Sequence, residues 1–490
     1  MNTSQLITGW VCGISVLSFA VSCQRKEQHP NILFILADDQ RADALSCSGN
    51  RYIKTPEIDK LAESGVRFTN CYVMGGHHGA ISAPSRAMLL SGKYLFNVYD
   101  KLDGVKTMPI HLAENGYVTF GTGKWHNEKN AFEASFQKGK SVFLGGMANH
   151  YNIPVCDLGN DHKLSEPVNK GFSTDIFASA ATDFIRDYAA GDRKNPFFCY
   201  VAFTAPHDPY SPRIDYIDMY SPDSIRLPGN FLPLHPFAFD DLLVRDENLT
   251  GWPRDPEIIK KILADYYGLI SHLDVKVGEI IRTLKENDLY DNTIIVYAAD
   301  NGLAIGSHGL LGKQNLYEHS TRVPLIISGP GVPKAKISEA LVYLLDIYPT
   351  LTALCSLPSP EAVDGKNLVP VLRGESQEVR SSLFTAYRNT VRAVRTKEWK
   401  LIRYPERDYT QLFDLNNDPW ELNNLSDDAG YQAKVEVMME LMQKWQKTVN
   451  DTVALTASKI LPMDYDHTKL VRKPDKWQPE YTLNKYFGQN

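Results

Sequence analysis

Residues 82–86, Ser-Ala-Pro-Ser-Arg, combine the side chains needed for attack on a negatively charged ester. They open an apolar stretch that ends at Gly92, so we expect a helix that begins near Ser82. Ser82 and Arg86 are four positions apart and can therefore share one face of that helix. Backbone N–H groups converge at a helix N-terminus, and a guanidinium adds a planar charge that matches oxyanions. The segment predicts a nucleophile beside a tetrahedral oxyanion ester.

Four more polar residues directly follow two apolar runs that are typical of buried strands. They are Asp38 and Asp39 after Asn31–Ala37, and Asp300 and Asn301 after Thr293–Ala299. Either pair alone could be a solvated turn or a helix cap. Adjacent carboxylates repel unless a cation or a proton lies between them, and carboxylate and amide oxygens suit a hard divalent ion such as Ca²⁺ or Mg²⁺. Together, the two pairs favour a metal site over two turns.

Further lysine and histidine side chains lie in glycine- or proline-containing motifs. They are Lys124 and His126 in Gly-Thr-Gly-Lys-Trp-His, His207 in Ala-Pro-His, and His308 and Lys313 shortly after Asp300. Lys124 and His126 are two positions apart, so in an extended segment both project to one side. His207 follows an apolar run in a proline-restrained loop, an unusual place for a purely structural histidine. A lone lysine or histidine is more commonly a surface or structural residue, so only their combination is informative.

The elements that must position these residues are strands alternating with helices. Apolar runs at 31–37, 197–203, 293–299 and 323–328 are separated by helical patterns, the strongest at 256–287. This order predicts an α/β fold with a large, mostly parallel sheet between helices. Ligands in such sheets gather beyond the carboxyl ends of the strands, so three strands would deliver the aspartates and His207 to one rim.

The pattern changes after about residue 375. Short strand patterns at 383–387, 391–395 and 399–403 precede an amphipathic helix at 429–450, which predicts a small antiparallel sheet with a covering helix. The last forty or so residues are expected to form a tail on the surface. We therefore predict a catalytic domain at 30–375 and a C-terminal α+β subdomain with a tail at 376–490.

Composition and the N-terminus indicate where the protein works. The 490 residues carry a net charge of −6, which argues against a nucleic-acid partner, although a local basic cluster can still bind an acidic substrate. Residues 1–22 resemble a bacterial signal peptide, with Cys23 as the candidate lipidated residue of a lipoprotein. Conventional cleavage is the alternative. Either way we expect an exported protein, in the periplasm or anchored to the outer membrane.

Taken in order, these motifs resemble the type I sulfatases of the alkaline phosphatase superfamily. The matching segments are Asp38-Asp39, Ser82-x-Pro-Ser-Arg86, Gly123-Lys124-Trp-His126, Ala205-Pro-His207, Asp300-Asn301-Gly302, Gly312-Lys313 and Leu412-Phe-Asp-Leu415 with its continuation to Leu422. The resemblance covers about residues 30 to 425 and implies an alkaline-phosphatase-like fold with a smaller C-terminal antiparallel sheet.

The resemblance also implies two cofactors and a role for each motif. Ser82 would be converted to formylglycine (3-oxoalanine) by an anaerobic radical-type maturation enzyme, and its hydrate would be the nucleophile. One Ca²⁺ would be held by Asp38, Asp39, Asp300, Asn301 and the modified Ser82. The other implied roles are Arg86 and Lys124 for anchoring the formylglycine, Lys124 and Lys313 for the sulfate oxygens, His126 for the formylglycine hydroxyl, and His207 with Lys313 for the leaving-group oxygen.

The expected substrate is a sulfated carbohydrate, such as a glycosaminoglycan, mucin or algal glycan fragment. Candidate substrate contacts are His77, His78, His308, Arg213 and Arg388, although each could equally be a surface or loop residue. One alternative is a phosphomonoester, phosphodiester or phosphonate hydrolase of the same superfamily, which would use the serine directly. A more remote alternative is a catalytically inactive, exported glycan-binding protein.

Overall fold

The computed structural model describes residues 29–239, 241–473 and 475–487. The predicted signal peptide at 1–22 and the candidate lipidated Cys23 lie outside the described residues. Among the residues that are described, no helix is both long and apolar enough to cross a membrane.

Sixteen strands and eleven α-helices make up the described chain. The strands are β1 (Asn31–Ala37), β2 (Gly65–Tyr72), β3 (Gly75–Gly76), β4 (Val118–Lys124), β5 (Lys138–Phe143), β6 (Ile153–Val155), β7 (Val168–Lys170), β8 (Phe197–Ala202), β9 (Thr293–Ala299), β10 (Arg322–Ser328), β11 (Lys336–Ser338), β12 (Val342–Tyr343), β13 (Ser382–Tyr387), β14 (Val391–Thr396), β15 (Trp399–Tyr404) and β16 (Tyr409–Asp414). The helices are α1 (Pro56–Glu63), α2 (Ser82–Ser91), α3 (Met108–Glu114), α4 (Lys129–Ser135), α5 (Ser173–Ala190), α6 (Pro256–Glu286), α7 (Glu318–Thr321), α8 (Ile347–Leu354), α9 (Val369–Arg373), α10 (Gln432–Val449) and α11 (Glu480–Phe487).

The large sheet has the order β11-β2-β10-β9-β1-β8-β4-β5, with β12 also paired to β2. The strands β9, β1, β8, β4 and β5 run parallel to one another, whereas β10 is antiparallel to both β9 and β2. All seven residues of β1 are buried, as a central strand covered on both faces requires. The predicted mostly parallel sheet is confirmed, and the bounds of β1 and β9 are those that the apolar runs predict.

The smaller sheet has the order β16-β15-β14-β13-β3. Its first four strands are antiparallel neighbours and α10 packs on β14 and β15, as predicted. Strand β3 lies in the loop that precedes α2, yet it pairs in parallel with β13. One continuous apolar core contains both Leu36 of β1 and Leu401 of β15. The two sheets are therefore joined by pairing and by packing, while the domain boundary at 375/376 stays a prediction.

The carboxyl ends of three central strands form one rim. Ala37 at the end of β1 pairs in register with Ala299 at the end of β9, and Leu36 pairs with Ala202 at the end of β8. The pairing continues past the strand ends, because the Asp300 N–H donates to the Ala37 carbonyl at 3.1 Å. The residues that follow these strands are consequently held at one level.

Candidate active site

Helix α2 is fastened to the rim by its first two turns. It begins at Ser82, and all ten of its residues are buried. Ser85 Oγ donates to the Asp300 carbonyl oxygen at 2.6 Å, and Arg86 Nε donates to Asp300 Oδ2 at 2.9 Å. Arg86 Nη1 also donates to the backbone oxygen of Lys124, which ends β4, at 2.5 Å. These bonds fix Ser82 and Arg86 against the ends of β9 and β4.

Two buried ammonium groups neutralise the two adjacent aspartates. Lys124 Nζ lies 2.5 Å from Asp38 Oδ2, and Lys313 Nζ lies 2.5 Å from Asp39 Oδ1. Ser82 Oγ donates to Asp38 Oδ1 at 3.3 Å and accepts from Lys313 Nζ at 2.8 Å. The Asp39 N–H donates to the side chain of Asp300 at 3.1 Å. Ser82 therefore lies inside a network of opposite charges.

The charge of Asp39 is only partly compensated within this network. Burial raises the pKa of Asp39 well above its usual range, Asp38 and Asp300 raise it further, and Lys313 only partly opposes them. Burial also lowers the pKa of Lys124, against the attraction of Asp38. The pKa of Lys313 is raised instead, because Asp39, Asp38 and Asp300 outweigh its burial. A divalent ion would remove much of the cost of keeping these carboxylates charged.

The side chains at the rim fit such an ion. Ligand atoms of Asp38, Asp39 and His207 all lie within 4.8 Å of one another. Asn301 is buried, and its amide nitrogen has no hydrogen-bond partner in the described part of the chain. Because the oxygen and nitrogen of an amide are assigned rather than observed, a flipped Asn301 would leave its oxygen unpartnered and able to bind a cation. His207 adds a nitrogen to the all-oxygen donor set that the sequence predicts.

Two buried imidazoles, those of His207 and His126, lie close to the charged groups of this network. His207 Nε2 lies 3.6 Å from Asp39 Oδ2, and burial together with Lys124 holds the pKa of His207 well below its usual value. His126 follows β4 in a left-handed conformation with a φ of 61°. Burial, then the charges of Lys124 and Arg86, lower the pKa of His126, and its Nδ1 has no partner within the described residues. Both rings therefore favour the neutral form.

The loop of residues 77–79 meets Arg388 and Gln314 at a partly exposed junction next to Lys313, which we call the mouth. Gln314, next to Lys313, donates through Nε2 to the Gly79 carbonyl at 2.9 Å. His78 is exposed and pairs with Asp100, whereas Nε2 of the exposed His77 lies 3.0 Å from the Leu95 carbonyl oxygen. Arg388 pairs with Asp241 at 3.1 Å and keeps a side chain that is 39% exposed. This mouth can present cationic and hydrogen-bonding groups to a ligand.

The other two candidate substrate contacts lie elsewhere. Arg213 is paired with Asp175 of α5 at 3.1 Å. His308 stacks on Tyr317 in a buried cluster, with ring centroids 4.0 Å apart and an interplanar angle of 10°. Burial and the neighbouring His235 lower the pKa of His308 to about 3. The contacts of His308 are thus with this aromatic cluster and not with Ser82.

Sequence reasoning misses the groups that hold Lys313 and His207. Glu247 accepts from the backbone N–H groups of Leu311 and Gly312 at 2.9 and 2.8 Å, and its carboxylate pairs with the buried Arg254. Asp208 pairs in the same way with Arg245. The charged run at 245–247 is a weak signal, because nothing in it indicates partners tens of residues away.

Comparisons with known proteins identify the family. A family model described as Sulfatase matches residues 30–357, and one described as N-sulphoglucosamine sulphohydrolase, C-terminal, matches residues 306–448. The chain is 27% identical to an N-acetylglucosamine-6-O-sulfatase of Bacteroides thetaiotaomicron over 90% of each protein. It is also 27% identical to an arylsulfatase of Clostridium perfringens, covering 85% of this chain and 94% of that one.

Solved structures share the fold. One, described as a complex with its substrate D-glucosamine-2-N,6-O-disulfate, matches with a TM-score of 0.74 and 25% identity over 87% of this chain and 99% of that one. A phosphonate monoester hydrolase of Agrobacterium radiobacter matches with a TM-score of 0.70 at 24% identity over 86% and 96%, which shows the fold alone. The chain belongs to the sulfatase family and is a sulfuric ester hydrolase with an alkaline-phosphatase-like fold.

Proposed function

We propose that this enzyme releases sulfate from sulfated carbohydrates, with position 82 as formylglycine and one Ca²⁺ at the rim. The observation that carries the proposal is the place of the Ser82 hydroxyl, between Lys313 Nζ at 2.8 Å and Asp38 Oδ1 at 3.3 Å, with Arg86 one turn away. The names of the relatives support a sugar ester, since one acts on N-acetylglucosamine 6-O-sulfate and another structure holds a sulfated glucosamine.

The chemistry of sulfate release supports the conversion of Ser82. A serine there would be left as a stable sulfate ester after one attack, whereas the hydrate of formylglycine carries two hydroxyls on one carbon and can expel sulfate. Arg86 and Lys124 would orient that group, because Arg86 bonds to the Lys124 backbone and Lys124 Nζ lies on Asp38. His126 would accept the proton of the second hydroxyl at its Nδ1, which has no hydrogen-bond partner among the described residues.

The metal would be held by Asp38, Asp39, Asp300 and Asn301 together with position 82. Bound there, Ca²⁺ would supply positive charge that stabilises the nucleophile and the sulfuryl oxygens. Lys124 and Lys313 would add hydrogen bonds to those oxygens, since both ammonium groups already lie beside the Ser82 hydroxyl or its partner Asp38. His207, neutral before the reaction, would take up the proton that the attacking hydroxyl loses and pass it to the sugar oxygen as it leaves, assisted by Lys313.

The experiment pairs maturation with activity. The protein is produced with and without a radical-type maturation enzyme. Mass spectrometry of the peptide containing Ser82 then tests for the loss of two hydrogens. Sulfate release is then measured on defined sulfated mono- and disaccharides, starting with 6-O- and N-sulfated glucosamines. We expect sulfate release only from the matured protein. The unmatured protein should fold in the same way and show no turnover.

Two other outcomes would contradict the proposal. Faster turnover of an aryl phosphate or phosphonate than of the matching aryl sulfate would favour the phosphohydrolase alternative. No conversion at Ser82, together with tight binding of a sulfated glycan and no release, would favour the inactive binding protein.

Sugar contacts and location complete the proposal. His77, His78 and Arg388 are proposed to contact the sugar, because their loops meet at the mouth above Lys313. Arg213 and His308 are weaker candidates, since both have the partners described above. Export to the periplasm or outer membrane is proposed from residues 1–22 and Cys23, and would be tested by fractionating cells that express the wild type or Cys23→Ser.

A further inference from the structure

The C-terminal strap, which we define as residues 470–473 and 475–487, lies beyond both matched regions at 30–357 and 306–448. It is anchored at both ends. Arg472 Nε donates to the Asn248 carbonyl at 3.0 Å, and the Lys473 N–H donates to the Asn248 side chain at 2.9 Å. At the other end, Lys485 Nζ lies 2.6 Å from Asp265 of α6. The strap is thus more than the surface tail that the sequence predicts.

The last helix of the strap is also packed into the molecule. Tyr486 of α11 is 3% exposed and belongs to an apolar cluster with residues of α6. Its hydroxyl donates to Asp265 Oδ2 at 2.8 Å and reaches the Tyr210 carbonyl at 3.3 Å. Tyr210 is three residues from His207, so the strap touches the loop that carries this histidine.

Between its anchors the strap reaches charged groups next to His207. Asp475 pairs with Arg245 Nε, and Gln478 Nε2 donates to Asp208 Oδ2 at 2.9 Å. Arg245 Nη1 donates to Asp208 Oδ1 at 2.6 Å, and Nη2 pairs with the second carboxylate oxygen. Asp208 therefore has both oxygens engaged, by one guanidinium and one amide.

Asp208 in turn holds His207. The Nδ1 of His207 lies 2.8 Å from the Asp208 backbone oxygen and 3.2 Å from Asp208 Oδ1. Both are acceptors, so they keep a proton on Nδ1, and a ring that donates to the leaving group would carry its second proton on Nε2, which lies 3.6 Å from Asp39 Oδ2. A hydrogen-bond acceptor at one ring nitrogen fixes the orientation and the tautomer of the whole imidazole.

We propose that the C-terminal strap is part of the active site and that Asp475 and Gln478 position His207 through Arg245 and Asp208. The inference rests on the proposed role of His207 at the leaving-group oxygen. Arg245, Asp208, Asp475 and Gln478 are positioning residues, because none of them contacts Ser82. Their effect is confined to reactions whose leaving group needs a well-placed proton donor.

The test uses variants that weaken the strap without leaving a large buried charge unpaired. They are Asp475→Asn, Gln478→Ala and Arg245→Lys in the full-length, matured enzyme; the lysine keeps the charge and loses the paired geometry. Asp466→Asn is the matched control, because Asp466 lies in the same C-terminal region and its described partners are its near neighbours Thr468 and the exposed Lys469. kcat and KM are measured for a sugar sulfate and for an activated aryl sulfate.

We expect Arg245→Lys and Gln478→Ala to lower kcat on the sugar sulfate by about 10- to 100-fold, the cost of a misplaced catalytic group. KM and turnover of the aryl sulfate should change little, because a nitrophenolate leaves without a proton. Asp466→Asn should match the wild type on both substrates. Equal losses on both substrates, or no loss on either, would overturn the proposal.

Amide hydrogen exchange supplies a readout that does not depend on turnover. In Asp475→Asn and Gln478→Ala, peptides covering residues 205–213 should exchange faster than in the wild type and Asp466→Asn. Unchanged exchange there would show that the strap does not order the His207 loop. Failure of the proposed function has a different signature, since the matured wild type would then release no sulfate while the exchange effect persisted.

Discussion

The ammonium of Lys313 lies 2.8 Å from the hydroxyl of Ser82, although 231 positions separate the two residues along the chain. The same ammonium lies 2.5 Å from Asp39, so one buried cation links the nucleophile position to the acidic rim. In the structure Lys313 balances a carboxylate, and with the proposed metal bound it would be free to face an oxyanion. This relationship leads to the first two predictions.

Replacing Ser82 by alanine should abolish sulfate release and leave the fold intact. Ser82 lies at the start of α2 and contributes one hydroxyl to a network that Arg86 and Ser85 hold independently. We expect turnover to fall to background and the thermal midpoint to move by a few degrees at most. Ser224→Ala, at an exposed position, is the control and should behave like the wild type. Residual turnover in Ser82→Ala would identify another nucleophile.

Replacing Lys313 by methionine should make the protein depend more strongly on calcium. Breaking a buried ion pair costs about 3–5 kcal/mol, because the partner charge loses its compensation. The metal-free variant should therefore melt well below the metal-free wild type, and added Ca²⁺ should raise its melting temperature by more. Differential scanning fluorimetry with a chelator and with Ca²⁺ measures both shifts. An equal calcium response in the two proteins would argue against an ion at the rim beside Asp39.

Replacing His207 by alanine should affect substrates according to their leaving groups. A positioned proton donor contributes about 10²–10⁴-fold to rate when the leaving group is a poor one. We expect a loss of that order in kcat/KM on a sugar sulfate and a much smaller loss on an aryl sulfate. The double measurement on one purified preparation corrects for differences in maturation. Similar losses on both substrates would remove His207 from the leaving-group role.

The buried histidine cluster predicts a loss of stability in acid. Burial lowers the pKa of His235 to about 4 and of His308 to about 3, and that of His319 lies well below the usual value. As the pH falls below 6.5, these histidines become protonated in the unfolded chain but stay neutral in the folded protein. The free energy of unfolding therefore decreases down to about pH 3–4. At about pH 5, each buried ring lowers the free energy of unfolding by roughly 2 kcal/mol.

His308→Phe tests this effect because a phenyl ring can keep the stack on Tyr317. Urea unfolding at about pH 7 and about pH 5 should show a smaller acid loss in the variant than in the wild type. His162→Phe, at an exposed position, should keep the wild-type loss. An unchanged difference in His308→Phe would show that this ring is protonated in the folded protein.

Local features of the sequence account for much of the site. The apolar runs of β1 and β9 are continuous because both faces of these strands are covered, and the strands end where the runs end. Each is followed directly by aspartate, so the two acidic pairs meet once the strands are parallel and in register. The serine and arginine of α2 share a turn for a purely helical reason.

His308 shows where local features stop being informative. Its distance along the chain from Lys313 suggests a shared site, yet His308 adopts a left-handed conformation with a φ of 53° in the turn between Gly306 and Gly309. That turn directs its ring onto Tyr317, whereas Lys313 points to Ser82. Proximity in sequence does not fix the direction of a side chain across a tight turn.

The sequence by itself determined the strands, the helix that begins at Ser82, and the residue types that gather at the carboxyl ends of a parallel sheet. Each follows from periodicity and from short-range geometry. Only the tertiary structure decided that Lys313 reaches Ser82, that Arg245 holds Asp208, and that Gln478 joins them from the C-terminus. Such contacts depend on how distant segments pack, and a charged side chain carries no local mark of the partner that will neutralise it.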